Sequence, residues 1–440
     1  METQKEFGIN KIDNEILRLS KKKGIAYFPL RLILGFLIFT EILFFIGPLD
    51  YSVPSRNSLF IYLAIVNIAC YCGYRHGVKT YKFPKSINTN KNHNKFISYC
   101  IIISFILLPF RIISLWGIHS ISPTEIINHI QNAIQNPGDV YSDKLDLISG
   151  FPTYLCIIMS PVIYITTALC IFYYSKLQKT WKILALLLIL WEYLLPIGQG
   201  VRKGILDISM IVFFIYIAKR PHILLDVKLM RKYVLFILIF CTIFISYFIY
   251  SNLSRYGIDD AAVLIEGGTF NIKDSYLYNT NPIVLSVICS IESYLCQGYY
   301  ALGNALYSDF TCTFGFGSSW FGINFMNRLG IDLLPYTYIG ELEKIGIDPT
   351  INWHSIYTWL ASDFTFVGVP IFIYIMGYLF SVSWLDTLIE RTKYAPAMFT
   401  LFTIMFFYSF ANNQVFSLSF IAFVVISILW LRTRYSLKYE

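Results

Sequence analysis

The chain has 440 residues, of which 56% are hydrophobic, 18% aromatic and only 14% charged. Soluble domains carry about 25% charged residues, so this composition excludes a soluble globular protein. The net charge of +8 does not indicate a nucleic-acid partner, because basic residues concentrate in the cytoplasmic loops of membrane proteins and no nucleic-acid-binding motif is present. The mean hydropathy of +0.57 indicates a polytopic helical membrane protein.

Ten apolar segments follow one another along the chain. A helix needs roughly 20 apolar residues to cross a bilayer, so we predict an all-α protein with about ten transmembrane helices in one domain, 1–440. The predicted spans are 26–48, 57–74, 96–117, 151–174, 183–198, 204–218, 233–250, 356–380, 397–411 and 414–431. A further apolar segment, 282–306, is rich in aromatic and small polar residues. We expect it to lie on or dip into the outer membrane surface.

Lysine and arginine counts predict the orientation of these spans. Every second segment between the spans is rich in basic residues, and six such segments hold 25 of the 35 lysines and arginines. They are the N-terminus to Lys23, 75–95, 175–182, 219–232, 381–396 and the C-terminal tail. By the positive-inside rule these segments and both termini are cytoplasmic. The protein is therefore expected in a bacterial inner membrane, with 251–355 as a large periplasmic loop within the single domain.

Cysteine and histidine spacing predicts no metal site and no cofactor. The nine cysteines include no CxxC pair, and the six histidines show no ligand spacing. Cys289, Cys296 and Cys312 fall in the predicted outer loop, where one disulfide is an open alternative to free thiols.

Arg202 and Lys203 stand side by side in "LPIGQGVRKGILDIS", between two short apolar segments on the predicted outer side. The short segments place this turn below the membrane surface, where a cation marks a candidate functional site. Glycines at 198, 200 and 204 allow close backbone approach to a ligand, and the following helix N-terminus adds positive field. These features favour a phosphate or diphosphate, and the alternatives are an interfacial anchor or a structural salt bridge with an outer carboxylate.

Three further stretches carry candidate residues. Arg255 follows the seventh span, and its planar guanidinium suits phosphate, although pairing with Asp259 or Asp260 is the alternative. His354 opens the eighth span and is our first candidate for a general base, followed by Asp363 and Glu341. Asp363 has a structural alternative, a salt bridge to Arg111 or Arg202.

The chain resembles the O-antigen polymerase family, the Wzy-type oligosaccharide repeat-unit polymerases. The resemblance rests on the "IGQGVRKGILDI" turn, the large late outer loop and "NWHSIYTWLASDFTFVGVPIFIYIMGYLF". In the last stretch the corresponding residues are Tyr357, Thr358, Asp363, Phe364, Gly368 and Gly377. "QGVRKG" is less serine-rich than the family pattern. The resemblance covers most of the chain as topology, through weak motifs.

This resemblance implies a metal-independent glycosyltransferase with a fold like the C-type membrane class (GT-C). Donor and acceptor would be undecaprenyl-diphosphate-linked glycans, within membrane lipid and with a chain-length regulator as a further partner. Arg202, Lys203 and Arg255 would bind the diphosphate. A lipid-linked oligosaccharide flippase is one alternative, but it should show more spans and internal repeats. An O-antigen ligase would share the fold and the cations.

Overall fold

A computed structural model of the chain describes residues 15–84, 93–118, 121–140, 150–256, 271–272, 282–350, 352–417 and 419–436. The helices are α1 (Lys23–Ala26), α2 (Phe28–Ile46), α3 (Arg56–Thr80), α4 (Asn94–Trp116), α5 (Pro123–Gln135), α6 (Phe151–Phe172), α7 (Lys179–Gly198), α8 (Lys203–Lys219), α9 (Val227–Tyr256), α10 (Pro282–Ala305), α11 (Trp320–Arg328), α12 (Tyr338–Glu343), α13 (Ile356–Leu388), α14 (Ala395–Phe407) and α15 (Phe420–Ser436). Short 3-10 turns lie at Tyr174–Lys176, Pro221–Leu225 and Leu334–Tyr336. The strands β1 (Leu49–Asp50) and β2 (Asn271–Ile272) form one antiparallel pair.

The all-α prediction is confirmed, and each predicted span coincides with a helix. Among the described residues, six helices (α2, α3, α4, α6, α7 and α13) are long and apolar enough to cross a membrane. The helix that replaces the predicted span 397–411 is α14, which ends at Phe407. Its 13 residues extend only about 20 Å, less than the thickness of a bilayer core.

The described parts of all six basic segments meet at one end of the helical bundle, which we call the basic end. The Trp384 indole donates to the Ile25 carbonyl at 3.0 Å, and Arg391 donates to the Lys82 carbonyl at 3.1 Å. The other contacts are salt bridges from Lys176 and Lys219 to Glu390, and from Arg434 to Asp386 at 2.9 Å. Each helix that begins or ends in one of these segments therefore has that terminus at the basic end.

The second half of α10 lies at the opposite end of the bundle. The Leu49 N–H, shortly after the end of α2, donates to the Glu292 carboxylate at 3.2 Å. The Tyr299 hydroxyl lies 2.9 Å from the Thr40 hydroxyl, within the last two turns of α2. Beyond the helix, the Tyr307 hydroxyl lies 2.9 Å from the Ser58 hydroxyl at the start of α3. These contacts keep residues 292–307 near the end of the bundle that lies opposite the basic end.

Glycines bring α3 and α13 into close parallel contact. A Cβ on Gly73 would lie 2.0 Å from the Tyr374 carbonyl oxygen, and one on Gly77 would lie 2.0 Å from the Ser381 hydroxyl. A Cβ on Gly377 would lie 2.8 Å from the Cys70 carbonyl oxygen. Small residues at such a contact allow the helix backbones to approach each other, as in membrane helix pairs.

Helix α13 is broken at Thr365, whose φ of 60° and ψ of 164° are not helical. The ring of Pro370 removes one helical hydrogen bond and crowds the carbonyl of Phe366, directly after the break. The Thr365 hydroxyl then accepts from the Gly368 N–H at 3.4 Å, as an N-cap does. The predicted continuous span 356–380 is therefore two segments, and only the second, 366–388, is an uninterrupted apolar helix of about 34 Å.

Candidate functional site

The glycines of the "QGVRKG" turn have structural roles. Gly200 has a φ of 64°, a conformation that costs other residues free energy. A Cβ on Gly198 would lie 2.3 Å from the Trp116 ring, and one on Gly204 would lie 2.4 Å from the Pro196 ring. The prediction that Gly198 and Gly204 give a ligand access to the backbone is wrong, because side chains of the protein fill that space.

The two cations of this turn have different surroundings. Lys203 forms a salt bridge with Asp207 one turn along α8, and its ammonium lies 4.7 Å from the centre of the Tyr408 ring. The carboxylate neutralises the lysine, which weakens its attraction for a diphosphate. Arg202 is buried at the start of α8. Arg255 lies in the last turn of α9, and its side chain is outside the described part of the structure.

A cavity of about 270 Å³ lies below this turn. We call it the turn cavity. Its wall includes Gln199, Asp207 and an ion pair in which Arg111 donates to both oxygens of Glu192, at 2.5 and 2.8 Å. The predicted bridge from Asp363 to Arg111 is therefore wrong. Among the residues that line the cavity, Arg111 is the one cation and Glu192 and Asp207 are carboxylates, so the lining has no surplus positive charge to hold a diphosphate.

His354 is buried, with 1% of its surface exposed. Its Nδ1 lies 3.0 Å from the Asn352 carbonyl oxygen, which can only accept, so Nδ1 carries the proton and Nε2 is the free acceptor. No group in the described residues hydrogen-bonds to Nε2. Burial lowers the pKa of His354 to about 4, against the opposing effects of the Asn352 carbonyl and Asp348. The ring is therefore neutral at physiological pH and can accept a proton at Nε2, although the same burial makes it a weaker base than an exposed histidine.

Asp363 holds the loop 313–318 in place. One carboxylate oxygen accepts from the Gly315 N–H at 2.8 Å, from Gly317 at 3.3 Å and from the Thr313 hydroxyl. The other accepts from the Ser318 N–H at 2.7 Å and from the Ser318 hydroxyl. A carboxylate offers about four lone-pair sites, so the four donors of Gly315, Gly317 and Ser318 already leave it no free site for a substrate proton. This geometry opposes the predicted role as a base and assigns Asp363 to positioning.

Glu341 lies on the surface of α12. Both of its oxygens accept from the Lys344 ammonium at 2.7 Å. This exposed i,i+3 pair is an ordinary solvated contact, which gives Glu341 no distinguishing feature of a general base. Cys289, Cys296 and Cys312 are free thiols, so the open disulfide alternative is not present.

Residues 408–413, which follow α14, connect the predicted site residues. Lys203 lies over the Tyr408 ring, and the Ser409 carbonyl accepts from the Ile356 N–H at 3.0 Å, two residues after His354. The Asn413 amide donates to the Ser318 carbonyl at 2.6 Å, on the loop that Asp363 holds. The sequence analysis assigned residues 408–411 of this segment to a span and left 412–413 between two spans, so it missed the connecting role, although "SFANNQ" is a visible interruption in the apolar pattern.

A second and larger cavity, of about 620 Å³, opens where α11 lies across the first turns of α6 and α15. We call it the outer cavity. Its lining combines aromatic and aliphatic side chains with amide, hydroxyl and guanidinium groups. The apolar surface comes from Tyr154, Ile157, Ile158, Trp320, Phe321, Phe325 and Ile421, and the polar groups belong to Thr153, Asn324, Asn327, Arg328 and Ser417.

Arg328 is the one charged residue among those that line the outer cavity. Its guanidinium lies 4.5 Å from the centre of the Tyr154 ring and donates to the Tyr154 hydroxyl. Such stacking orients a guanidinium and leaves its remaining N–H groups available for a phosphate or carboxylate. The sequence analysis did not single out this arginine. Nothing local in "FMNRLG" marks it as a site residue.

The described residues contain no cluster of three or more His, Cys, Asp or Glu that could hold a metal ion. What the outer cavity can do chemically is bind an anion beside apolar and ring-shaped groups. No protein-family model, curated protein or solved structure matches this chain.

Proposed function

We propose that this chain is a membrane glycosyltransferase that polymerises undecaprenyl-diphosphate-linked oligosaccharide repeat units into O-antigen polysaccharide at the periplasmic face of the inner membrane. The observation that carries the proposal is the outer cavity, which combines an oriented arginine, amide groups and aromatic rings at the end of the bundle opposite the basic end. A lipid-linked glycan needs all three, for its diphosphate, its hydroxyl groups and its sugar rings.

In the proposed reaction, a hydroxyl group of the acceptor's terminal sugar attacks the anomeric carbon of the donor glycan. The bond from that carbon to the diphosphate oxygen breaks, and undecaprenyl diphosphate leaves with the electron pair. Arg328 stabilises the charge that develops on the diphosphate, a contribution typically worth a few kcal/mol for one preorganised donor. In this proposal Arg328 takes the place that the sequence analysis gave to Arg202, Lys203 and Arg255.

The proton of the acceptor hydroxyl passes to a base, for which we propose Nε2 of His354. Its free, neutral acceptor atom supports this role. The residues that line the outer cavity include no carboxylate and no histidine. Transfer therefore requires the segment that contains His354 to approach the bound acceptor, as catalytic groups often do only when the substrate is in place.

The flippase alternative is supported by one observation. The Arg111–Glu192 pair and Asp207 lie at the turn cavity inside the bundle, and polar groups along spans are typical of transporters. We favour the transferase because the charges at this cavity are mutually paired, whereas a substrate path requires groups that can exchange partners.

Deletion of the gene in the source bacterium tests the proposal. We expect surface glycan reduced to single repeat units, and complementation by the intact gene should restore long chains. Extracted lipid-linked intermediates separate the alternatives. Single units trapped on the cytoplasmic face, with no surface capping, would indicate a flippase. Long lipid-linked chains that never reach the surface acceptor would indicate a ligase. Either result would overturn the polymerase proposal.

A further inference from the structure

The loop 310–318 presents three phenylalanine side chains to its surroundings. Phe310 and Phe316 are partly exposed, and 85% of Phe314 is exposed. Phe314 also has a φ of 53°, in the left-handed region that bulky residues avoid, and Gly315 follows with a φ of 90°. This conformation costs Phe314 roughly 1–2 kcal/mol, so groups outside the loop must hold it.

Asp363 supplies that restraint. Its two oxygens accept from the backbone N–H groups of Gly315, Gly317 and Ser318, on both sides of the exposed ring of Phe316. The Thr313 hydroxyl also lies 2.9 Å from the Ser362 carbonyl. These bonds bury Thr313 and fix the tip so that Phe314 points away from the protein.

The segment directly after Asp363 carries an exposed apolar stripe. Val367, Ile371 and Ile375 recur at intervals of four residues, which places them on one face of the helical segment after the break, and Phe364 is exposed directly before the break. Val367 is 81% exposed. An apolar helix long enough to span a bilayer can expose such a stripe only to lipid, because exposure of these side chains to water is unfavourable. Asp363, which holds the loop 313–318, therefore lies directly before a lipid-facing surface.

We propose that the loop 310–318 is a membrane anchor whose Phe310, Phe314 and Phe316 side chains insert among the lipid chains at the outer boundary of the bilayer. Its partner is the lipid bilayer itself. Two observations favour lipid over a second protein chain. The aromatic surface continues into the stripe of α13, and aromatic residues are enriched at membrane interfaces.

The anchor also fixes the depth of the outer cavity. The Phe316 ring stacks on the Phe325 ring, with centres 6.2 Å apart and planes 12° apart, and Phe325 lines that cavity. Insertion of the loop would therefore hold the cavity at the lipid–water boundary, where a lipid-linked group can enter sideways. The membrane anchor does not depend on the proposed function, because it rests only on the exposure of the three phenylalanines and on the hydrogen bonds of Asp363.

A photo-crosslinking experiment on the full chain in phosphatidylcholine–phosphatidylglycerol nanodiscs tests the anchor. Benzoylphenylalanine is introduced separately at Phe314, at Val367 as the lipid-facing reference, and at Lys344 as the water-facing reference. After irradiation, mass spectrometry measures lipid adducts. We expect adducts at 314 to match those at 367 and to exceed those at 344 on the order of tenfold, because only hydrocarbon surrounds the first two.

Asp363→Asn tests the restraint, with Asp309→Asn as the matched control on an exposed carboxylate of the same region. Adducts at 314 should fall severalfold in the first variant and remain unchanged in the second. Adducts at 314 no more abundant than those at 344 would overturn the proposal, as would crosslinks to a second copy of the chain in place of lipid. Crosslinking does not measure glycan transfer, so failure of the proposed function would leave this result unaffected.

Discussion

The two cavities differ in how their charges are arranged. In the turn cavity every charged residue of the lining has a partner, because Arg111 pairs with Glu192 and Asp207 pairs with Lys203, which lies outside the lining. In the outer cavity the one charge, on Arg328, rests against an aromatic ring and faces no carboxylate in the lining. The difference teaches that burial of charged residues does not by itself mark a binding site. A cation that can attract an anionic ligand is one that the protein has oriented and left unneutralised.

The largest expected effect concerns the turn cavity. Arg111→Leu leaves the mostly buried Glu192 carboxylate without its partner, and should destabilise the protein by about 3–5 kcal/mol. The thermal unfolding midpoint in detergent measures this. Arg56→Leu is the matched control, because its pair with Asp50 is exposed and should contribute only about 0–1 kcal/mol.

The double variant Arg111→Leu/Glu192→Leu should recover most of the lost stability, since no buried charge is then left unpaired. If Arg111→Leu were instead stable but inactive, the turn cavity would be functional and the contrast between the two cavities would be wrong.

The second effect concerns the outer cavity. Arg328→Ala should slow glycan transfer by about 10²–10³-fold, as loss of one charge-stabilising donor does in other enzymes. Release of undecaprenyl diphosphate by the purified protein in nanodiscs measures the rate. Arg328→Lys should restore only part of it, because an ammonium lacks the planar two-pronged geometry.

Lys344→Ala is the control for Arg328, since it removes an exposed cation from the same outer segment. Equal loss of activity in both variants would mean that general electrostatic attraction, and not the cavity, accounts for the effect.

The third effect tests the environment of His354, which lines neither cavity. Its folded-state pKa of about 4 lies below the ordinary value near 6.5, so the unfolded chain binds more protons between these pH values. Stability should therefore be constant above pH 6.5 and fall by about 2 kcal/mol as the pH is lowered from 7 to 5.

Unfolding midpoints of wild type and His354→Asn, measured side by side, isolate this contribution. The variant should show the weaker dependence on pH over this range. Identical slopes would indicate that the ring is solvated in the folded protein and has an ordinary pKa.

The smallest effect belongs to Glu341. Glu341→Gln should change stability by less than about 0.5 kcal/mol and leave the rate of glycan transfer unaltered, because its pair with Lys344 is exposed to water. A large loss of activity with stability intact would restore Glu341 as a candidate base and would extend the site beyond the outer cavity.

The sequence was sufficient to predict the helices but only part of the site. Apolar segment length and basic-residue counts depend on local composition, which is why the helices and the gathering of the six basic segments could be predicted. The ion pair between Arg111 and Glu192 joins residues 81 positions apart, and no local pattern encodes it. The same applies to Arg328, which becomes distinctive only because Tyr154 lies beneath it.

Asp363 illustrates a different kind of error. A carboxylate in an apolar segment does require partners, and the sequence analysis sought them among cations. Its partners are instead N–H and hydroxyl groups of the loop 313–318, which satisfy the carboxylate without a countercharge. The break at Thr365 could have been predicted from the sequence. Thr365 can cap the start of a new helix, and Pro370, five residues later, interrupts the helical hydrogen bonding.

The salt bridges at the basic end have a mechanical consequence. Glu390 binds the ends of two other helices through Lys176 and Lys219, and Asp386 binds a third through Arg434. Helices joined at one end behave as levers about that end, so a small change of tilt produces its greatest displacement at the far end. Spin labels at 158 and 325, across the outer cavity, should therefore show a broader distance distribution than labels at 179 and 222, which lie close to these salt bridges and leave them intact.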